Sequence, residues 1–277
     1  MGVLVSKGFL VFAENTETVD YVKQAYALAL SIKKTQSVVN SISIITNDVV
    51  PEEYQWAFDK VIPIPWYEQD VSTGLAAEHR WKMIHASPYF ETIVLDTDMI
   101  FLTDQSNWWD YCSNYDLKFC GQVRNYKYNV ITQDTYHRKA FINNGLSNPY
   151  FALHYFKNTD PAHEFYKTLE FVCKNWELCY GKFAPENYQD WLSMDLASAV
   201  AIDMMGIAEE AIDTTGLLTF AHMKPALQGW EVVPPSWQNG IQWMYNKDFL
   251  IGNIRQVGLL HYVDKKFVTD SLMERLA

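Results

Sequence analysis

Two aspartates one residue apart follow a short apolar run in the first half of the chain. The segment reads Ile93-Val94-Leu95-Asp96-Thr97-Asp98, and the apolar sequence resumes directly after it. Such a run predicts a buried β-strand, and in extended backbone the residues i and i+2 point to the same side. Because unpaired carboxylates are costly to bury, the pair predicts a strand end that opens into a cleft and meets a positive group there. A divalent metal ion with oxygen ligands is the simplest such group, and a solvated turn fits the same spacing.

Two histidines in the last third of the chain also follow apolar, strand-like runs. His222 comes after Phe220-Ala221, and His261 comes after Leu259-Leu260. Neutral imidazole is a common metal ligand. A hydrogen-bonded core histidine is the alternative interpretation, and both stay open at this point.

The first hundred residues alternate strand and helix patterns. Strands are predicted at residues 8–13, 41–46, 61–64 and 93–95, and helices at 20–33, 51–59 and 78–86. This order predicts an α/β fold with right-handed crossovers and a mostly parallel sheet. Ligands of such sheets bind at the carboxyl ends of the strands, where Asp96 and Asp98 lie.

The second half is more irregular. Residues 103–140 mix polar and aromatic side chains, which predicts a functional loop or lid rather than core. A strand is predicted at 150–156, and helices at 161–175 and 189–205. Asp190 and Asp195 lie well apart around the last helix, so that at most one of them faces a site. Five tryptophans are predicted to stack on sugars or bases: Trp108, Trp109, Trp230, Trp237 and Trp243.

Composition excludes several classes of protein. The net charge of −11 argues against a broad electrostatic grip on nucleic acid, although Arg124, Lys127, Arg138 and Lys139 form one local basic cluster. The four cysteines lack zinc-site spacing and are predicted to be free thiols. No apolar run is long enough to predict a membrane span, and the expected location is the cytoplasm. There is no glycine-rich phosphate loop, so any nucleotide must be held by side chains and stacking.

Several of these segments occur in an order that resembles the GT-A-fold glycosyltransferases, and among them the glycogenin-like retaining family (glycosyltransferase family 8). The resemblance rests on Arg80-Trp81-Lys82, on Pro88-Tyr89-Phe90-Glu91 before the D-x-D motif Asp96-Thr97-Asp98, on Asn143-Asn144-Gly145, and on His261-Tyr262 followed by Lys265. Together these motifs cover most of the chain. The amino-acid sequence around Asn143 and His222 also resembles that of small glycosyltransferases of tailed phages.

The resemblance implies one Rossmann-like GT-A domain over residues 1–277, with a mostly parallel central sheet flanked by helices. Residues 1–102 would form the nucleotide-binding half, and residues 103–277 the acceptor-binding half with a C-terminal metal and phosphate segment. The implied reaction moves a sugar, with retention, from a nucleotide-diphosphate sugar (UDP-sugar foremost) to a hydroxyl group, using Mn²⁺ or Mg²⁺. The acceptor would be a glycan, a protein or a hydroxymethylated base in phage DNA, and a phage enzyme would act in the host cytoplasm.

The resemblance also implies roles for individual residues. Asp96, Asp98 and His261 would hold the metal ion, with His222 as the alternative because Lys224-Pro225 follows it. Asp195, or in second place Asp190, would face the reacting side of the sugar, where Arg80 also acts. The residues implied to contact the nucleotide sugar are Ala13, Asn15, Tyr21, Arg80, Lys82, Thr97, Asn143, Asn144, Gly145 and Lys265 (or Lys266).

Other functions fit the sequence less well. A haloacid-dehalogenase-like phosphatase with Asp96 as nucleophile expects this motif near the chain start and a late acidic pair, and no Asp-Asp or Gly-Asp pair occurs. A nucleotidyltransferase needs a glycine-rich N-terminal loop, which is absent. A non-catalytic carbohydrate-binding protein would explain the ten tryptophans and seventeen tyrosines, but it needs neither Arg80 nor a carboxylate pair at a strand end.

Overall fold

A seven-stranded sheet carries the fold in this computed structural model, which describes residues 5–67, 76–131, 138–223, 243–245 and 247–277. The described strands are β1 (Val5–Phe12), β2 (Ile42–Ile45), β3 (Lys60–Ile62), β4 (Tyr89–Leu95), β5 (Met99–Phe101), β6 (Leu117–Cys120), β7 (Tyr150–Lys157), β8 (Ile212–Asp213), β9 (Ala221–His222), β10 (Trp243–Tyr245), β11 (Phe249–Ile251), β12 (Ile254–Arg255) and β13 (Leu259–His261). The described helices are α1 (Tyr21–Thr35), α2 (Glu52–Gln55), α3 (Met83–Ala86), α4 (Asn107–Cys112), α5 (Lys139–Asn143), α6 (Asp160–Lys174), α7 (Trp176–Phe183), α8 (Met194–Met205), α9 (Ala208–Ala211) and α10 (Asp270–Leu276), and a 3₁₀ helix at Ala76–Lys82 leads into α3.

The central sheet has the strand order β3-β2-β1-β4-β7-β6-β8. β3, β2, β1 and β4 are mutually parallel, β7 is antiparallel to both of its neighbours, and β8 is parallel to β6. Six of the seven strands therefore run in one direction, which confirms the predicted mostly parallel sheet. Because β7 runs the other way, its first residues lie at the edge where the parallel strands end, with Leu153 opposite Leu95.

A small second sheet brings the two predicted histidine segments together. Its order is β5-β13-β9, with β13 antiparallel to β5 and parallel to β9. His261 consequently pairs with Met99 on one side and with His222 on the other. β10, β11 and β12 form a separate antiparallel sheet.

Apolar side chains of β1 alternate between two core layers, as the period of a strand requires. Leu10 packs into the layer that contains α6 and α8, whereas Phe9 and Val11 pack into the layer that contains α1. Asp20 begins α1 by accepting a hydrogen bond from the backbone N–H of Lys23, the usual role of an N-cap.

The prediction of a loop or lid over residues 103–140 is wrong for much of that segment. α4 and β6 belong to the core, and Trp108 and Trp109 are 0% and 2% exposed. These two rings pack near Phe101 and Phe9 and therefore do not stack on a ligand. Trp230 and Trp237 lie outside the described residues.

Across the described part of the chain, no helix combines the length and the apolar character needed to cross a membrane.

Candidate metal and ligand-binding cleft

A cleft of about 380 Å³ opens where β1 and β4 end and β7 begins. This is the edge at which parallel sheets bind ligands. The first residues of β7 and the two C-terminal histidines form its other walls. Its lining comprises Phe12, Glu14, Tyr21, Arg80, Asp96, Thr97, Asp98, Tyr150, Ala152, Asp195, His222, His261, Val263 and Lys265.

Asp96 continues the line of β4 by one residue and pairs with a cation. Its backbone N–H donates to the carbonyl of Ala152 at 3.1 Å, and its carboxylate Oδ1 accepts a hydrogen bond from Nη2 of Arg80. The Arg80 guanidinium also lies 4.9 Å from the ring centroid of Phe151. The Nε of Arg80 is buried without a hydrogen-bond partner. Arg80 thus offers donors to the same cleft as the D-x-D carboxylates.

Asp98 lies deeper and is only 5% exposed. Its Oδ1 lies 3.1 Å from Nε2 of His261, and its Oδ2 accepts a hydrogen bond from Nζ of Lys265 at 2.6 Å. Burial by itself raises the pKa of Asp98, but the charges and hydrogen bonds of His261 and Lys265 outweigh it and hold the pKa well below its usual range. The two aspartates are therefore already balanced by Arg80 and Lys265.

Asp96, Asp98 and His261 each present one ligand atom, and the three atoms lie within 4.8 Å of one another. In an octahedron with metal–ligand distances of about 2.1 Å, neighbouring ligand atoms are about 3.0 Å apart. The separation of 3.1 Å between Asp98 Oδ1 and His261 Nε2 is close to that value. Two carboxylates and one imidazole are a donor set that divalent metal ions accept. The Nδ1 of His261 is buried without a hydrogen-bond partner. These donors fit a divalent ion.

His222, the alternative metal ligand, lines the same cleft but occupies a different position. Its ring stacks on the ring of His261, with centroids 4.9 Å apart and planes 16° apart. Among the described residues, the group with metal-ligand spacing contains His261 and not His222. Lys224 and Pro225, which raised the alternative, lie outside the described residues.

Asp195 lines the cleft and Asp190 does not. α8 begins at Met194, so Asp195 is in its first turn, where a carboxylate is favourable, and Asp190 is an exposed residue of the preceding bend. Asp195 Oδ1 accepts the backbone N–H of Phe151 at 2.8 Å. Its Oδ2 pairs with Nη2 of Arg138 at 2.8 Å. The helix predicted over 189–205 thus starts later than expected, and this separates the two aspartates.

The residues predicted to contact the nucleotide sugar fall into two groups. Those that line the cleft are Tyr21, Arg80, Thr97 and Lys265. Asn15 instead shapes the loop after β1, since its Oδ1 accepts the backbone N–H of Val22 at 3.1 Å. The side chain of Ala13 is fully buried, and Nζ of Lys82 donates to the carbonyl of Trp66 at 2.9 Å.

Asn143, Asn144 and Gly145 end α5 and are not part of the cleft lining. Asn143 donates to the side chain of Asn187, and Asn144 exchanges hydrogen bonds with the backbone of Glu186. Gly145 has a φ of +65°, a conformation that glycine adopts without strain. These contacts tie the turn to residues 186–187, and the predicted contact with sugar stays a prediction.

Two residues, one lining the cleft and one next to it, received no role at this site from the sequence patterns. Glu14 follows β1 and has a pKa raised to about 7 by burial and by nearby Asp48, against an opposing effect of Lys82. Its Oε2 is buried without a hydrogen-bond partner. Arg138 is 6% exposed, which removes it from the basic cluster predicted for a nucleic-acid groove. Neither Glu14 nor Arg138 belongs to a motif with a defined spacing. For Glu14, the one available signal in the sequence was its position directly after the first predicted strand.

The chain is similar to known proteins in its fold and not in its sequence. No protein-family model matches the chain, and no curated protein sequence matches it. The galactosyltransferase LgtC in complex with donor and acceptor sugar analogues is 10% identical with a TM-score of 0.54, and the match covers 97% of this chain and 93% of LgtC. Mouse xyloside xylosyltransferase 1 is 11% identical with a TM-score of 0.54, and the match covers 96% of this chain and all of that one.

The glycosyltransferase GlyE of Streptococcus pneumoniae TIGR4 is also similar, but this chain spans only 46% and 59% of two GlyE structures. Those matches cover 76% and 98% of this chain at 12% and 13% identity, with TM-scores of 0.41 and 0.46. The matches to LgtC and to the xylosyltransferase, which cover more than nine-tenths of both chains, together with the seven-stranded sheet, show that the chain has the GT-A fold.

Proposed function

We propose that this chain is a metal-dependent glycosyltransferase that moves a sugar from a nucleotide-diphosphate sugar to a hydroxyl acceptor. One observation carries the proposal: the ligand atoms of Asp96, Asp98 and His261 lie within 4.8 Å of one another in a cleft that Arg80 and Lys265 also line. Metal ligands beside two cations suit a diphosphate bound together with a metal ion. UDP-sugars are the donors that we expect first.

The charged residues of the cleft would bind different parts of the donor. A divalent ion held by Asp96, Asp98 and His261 would supply positive charge to the departing diphosphate. Arg80 and Lys265 would exchange their carboxylate partners for phosphate oxygens. The ring of Tyr21, 5.0 Å from Nζ of Lys265, would pack beside the base or ribose.

Asp195 would accept hydrogen bonds from hydroxyl groups of the donor sugar. Both of its oxygens are already engaged, by Phe151 N–H and by Arg138, which suits an oriented acceptor better than a free nucleophile. We therefore favour retention of configuration without a sugar bound covalently to Asp195. The anomeric configuration of the product, read by NMR, tests this point: an inverted product contradicts it.

For the acceptor, we place glycans before proteins and before hydroxymethylated bases of phage DNA. Trp191 is 50% exposed only four residues before Asp195, and exposed aromatic rings stack well on sugars. The burial of Arg138 weakens the case for DNA. The phage origin, the cytoplasmic location and the division at residues 102 and 103 remain predictions from the sequence.

The test is hydrolysis and transfer with a panel of nucleotide sugars in the presence of Mn²⁺, Mg²⁺ or EDTA. We expect one donor to release nucleotide diphosphate only with metal, and Asp96→Asn and Asp98→Asn to lower the rate at least 100-fold. Asp203→Asn, an exposed position on α8, is the matched control. Unchanged turnover in both D-x-D variants contradicts the proposal, and Asp96-dependent release of phosphate from phosphomonoesters would favour the phosphatase instead.

A further inference from the structure

Arg138 is a buried cation next to the cleft, and four neighbours hold its guanidinium. Nη2 pairs with Asp195 Oδ2 at 2.8 Å, and Nη1 donates to the carbonyl of Pro149 at 3.3 Å. The guanidinium carbon lies 3.6 Å from the ring centroid of Tyr150 and 4.8 Å from that of Phe141. The Arg138 side chain is 7% exposed, whereas that of Asp195 is 30% exposed. The cation is thus hidden and its carboxylate partner reaches the cleft.

Stability alone is a weak reason for such a pair. Burying an arginine and a carboxylate costs solvation free energy, which their mutual attraction often does not offset. Proteins with apolar residues in place of such a pair can be equally stable. The planar guanidinium, however, fixes the orientation of its partner and stacks on aromatic rings at the same time. Here it holds both Asp195 and the ring of Tyr150, and both line the cleft.

The remaining hydrogen-bonding capacity of Asp195 is directed by these contacts. A carboxylate has about four lone-pair sites. Arg138 takes one through Oδ2, and the N–H of Phe151 takes one through Oδ1. The carboxylate is therefore clamped from two sides, by the residue before α5 and by the start of β7. What is left can accept hydroxyl groups from a ligand in the cleft.

We propose that Arg138 is a positioning residue for the sugar portion of the donor: it orients the Asp195 carboxylate and the Tyr150 ring without touching the substrate. This inference rests on the proposed function and adds a residue to it. It predicts a division of labour in the cleft. Loss of Arg138 should lower the rate of sugar transfer. The diphosphate should still bind with the metal ion, because Asp96, Asp98 and Lys265 are unchanged.

The variants are Arg138→Met, Arg138→Lys, Asp195→Asn and the double variant Arg138→Met/Asp195→Asn. The control is Lys118→Met, because Lys118 is also a buried cation, 4% exposed, whose Nζ bonds the carbonyl of Glu210 away from the cleft. Thermal unfolding of every variant checks the fold. Arg138→Lys keeps a cation at the site, so it provides the test if Arg138→Met does not fold.

Calorimetry measures the dissociation constant of nucleoside diphosphate with Mn²⁺, and kinetics measure kcat and KM with the nucleotide sugar. We expect Arg138→Met to lower kcat at least 30-fold and to leave diphosphate affinity within threefold, with partial recovery in Arg138→Lys and no loss in Lys118→Met. The double variant should be no slower than Asp195→Asn, because residues that act as one unit are not additive.

A kcat of Arg138→Met within threefold of the wild type overturns the inference. So do losses that multiply in the double variant, or a diphosphate affinity that falls as steeply as kcat. If instead the wild type turns over no nucleotide sugar, the proposed function itself fails and this inference falls with it. The two failures are therefore distinguished by the activity of the wild type.

Discussion

Replacement of Lys265 by methionine should move metal affinity and nucleotide affinity in opposite directions. Nζ of Lys265 lies 2.6 Å from Oδ2 of Asp98 and neutralises a carboxylate whose side chain is only 7% exposed. A divalent ion that binds alone must therefore compete with an existing cation. When the diphosphate binds as well, it offers Lys265 a new anionic partner. Without Lys265, the metal ion should bind more tightly by itself, and the nucleotide more weakly.

The magnitude follows from the exposure of the pair. Hydrogen bonds between charged groups contribute about 1.5–3 kcal/mol when buried, and exposed ion pairs about 0–1 kcal/mol. The Lys265 side chain is 35% exposed, so an intermediate value applies. We expect about 1–2 kcal/mol, which corresponds to a gain of about 5–30-fold in Mn²⁺ affinity in the absence of nucleotide. With saturating Mn²⁺, the affinity for nucleoside diphosphate should fall by a similar factor.

Mn²⁺ binding is measured by electron paramagnetic resonance of the free ion, and nucleotide binding by calorimetry. Lys266→Met serves as the control, since it removes the same charge from the exposed neighbouring position and should change neither affinity by more than threefold. An unchanged or lower Mn²⁺ affinity in Lys265→Met would refute the idea that Lys265 and the metal ion compete for Asp98.

Three further predictions concern stability. The pKa of Glu14 is about 7 in the folded chain against 4.5 as its ordinary value, so the folded state binds the proton more tightly and stability falls as the pH rises from about 4.5 to 7. Because solvent screens this partly buried group, the loss is at most about 3 kcal/mol. Glu14→Gln should therefore raise the Tm at pH 8 and change it little at pH 5, and equal shifts at both pH values would contradict this. Gly8→Ala would place a Cβ atom 2.3 Å from a ring carbon of Tyr89, so we expect a loss of about 1–3 kcal/mol in urea unfolding, and a wild-type midpoint would show that the ring can move aside. Val263 is a β-branched residue with a φ of +63°, so Val263→Gly should raise the free energy of unfolding by about 1 kcal/mol and the Tm by about 2–4 °C. A lower Tm would indicate that the contacts of the Val263 side chain outweigh the backbone strain.

The order of the first strands and helices, and the location of the D-x-D pair at a strand end, could be predicted from local sequence patterns. These features depend on local periodicity: an apolar run forms a strand, and residues two apart share a side. β4 ends at Leu95, directly before Asp96. The short strand β3 lies at the edge of the sheet and Pro63 follows it directly, which agrees with the inability of proline to donate to a central ladder.

Some residues look alike in the sequence and are distinguished by their positions in the folded chain. His261 and His222 both follow apolar runs, but the pairing of β13 with β5 puts His261 next to Met99 and thus beside Asp98. Strand register between segments some 160 residues apart depends on the packing of the whole sheet, which no local pattern carries.

Burial was likewise decided by packing. Trp108 is a core residue although its neighbourhood is polar, and Arg138 is buried although it belongs to a basic run. Asp195 reaches the cleft and Asp190 does not, because α8 begins only at Met194. A residue's type states what chemistry it can do, whereas its neighbours in three dimensions decide whether it meets solvent, core or ligand, and those neighbours here come from distant parts of the chain.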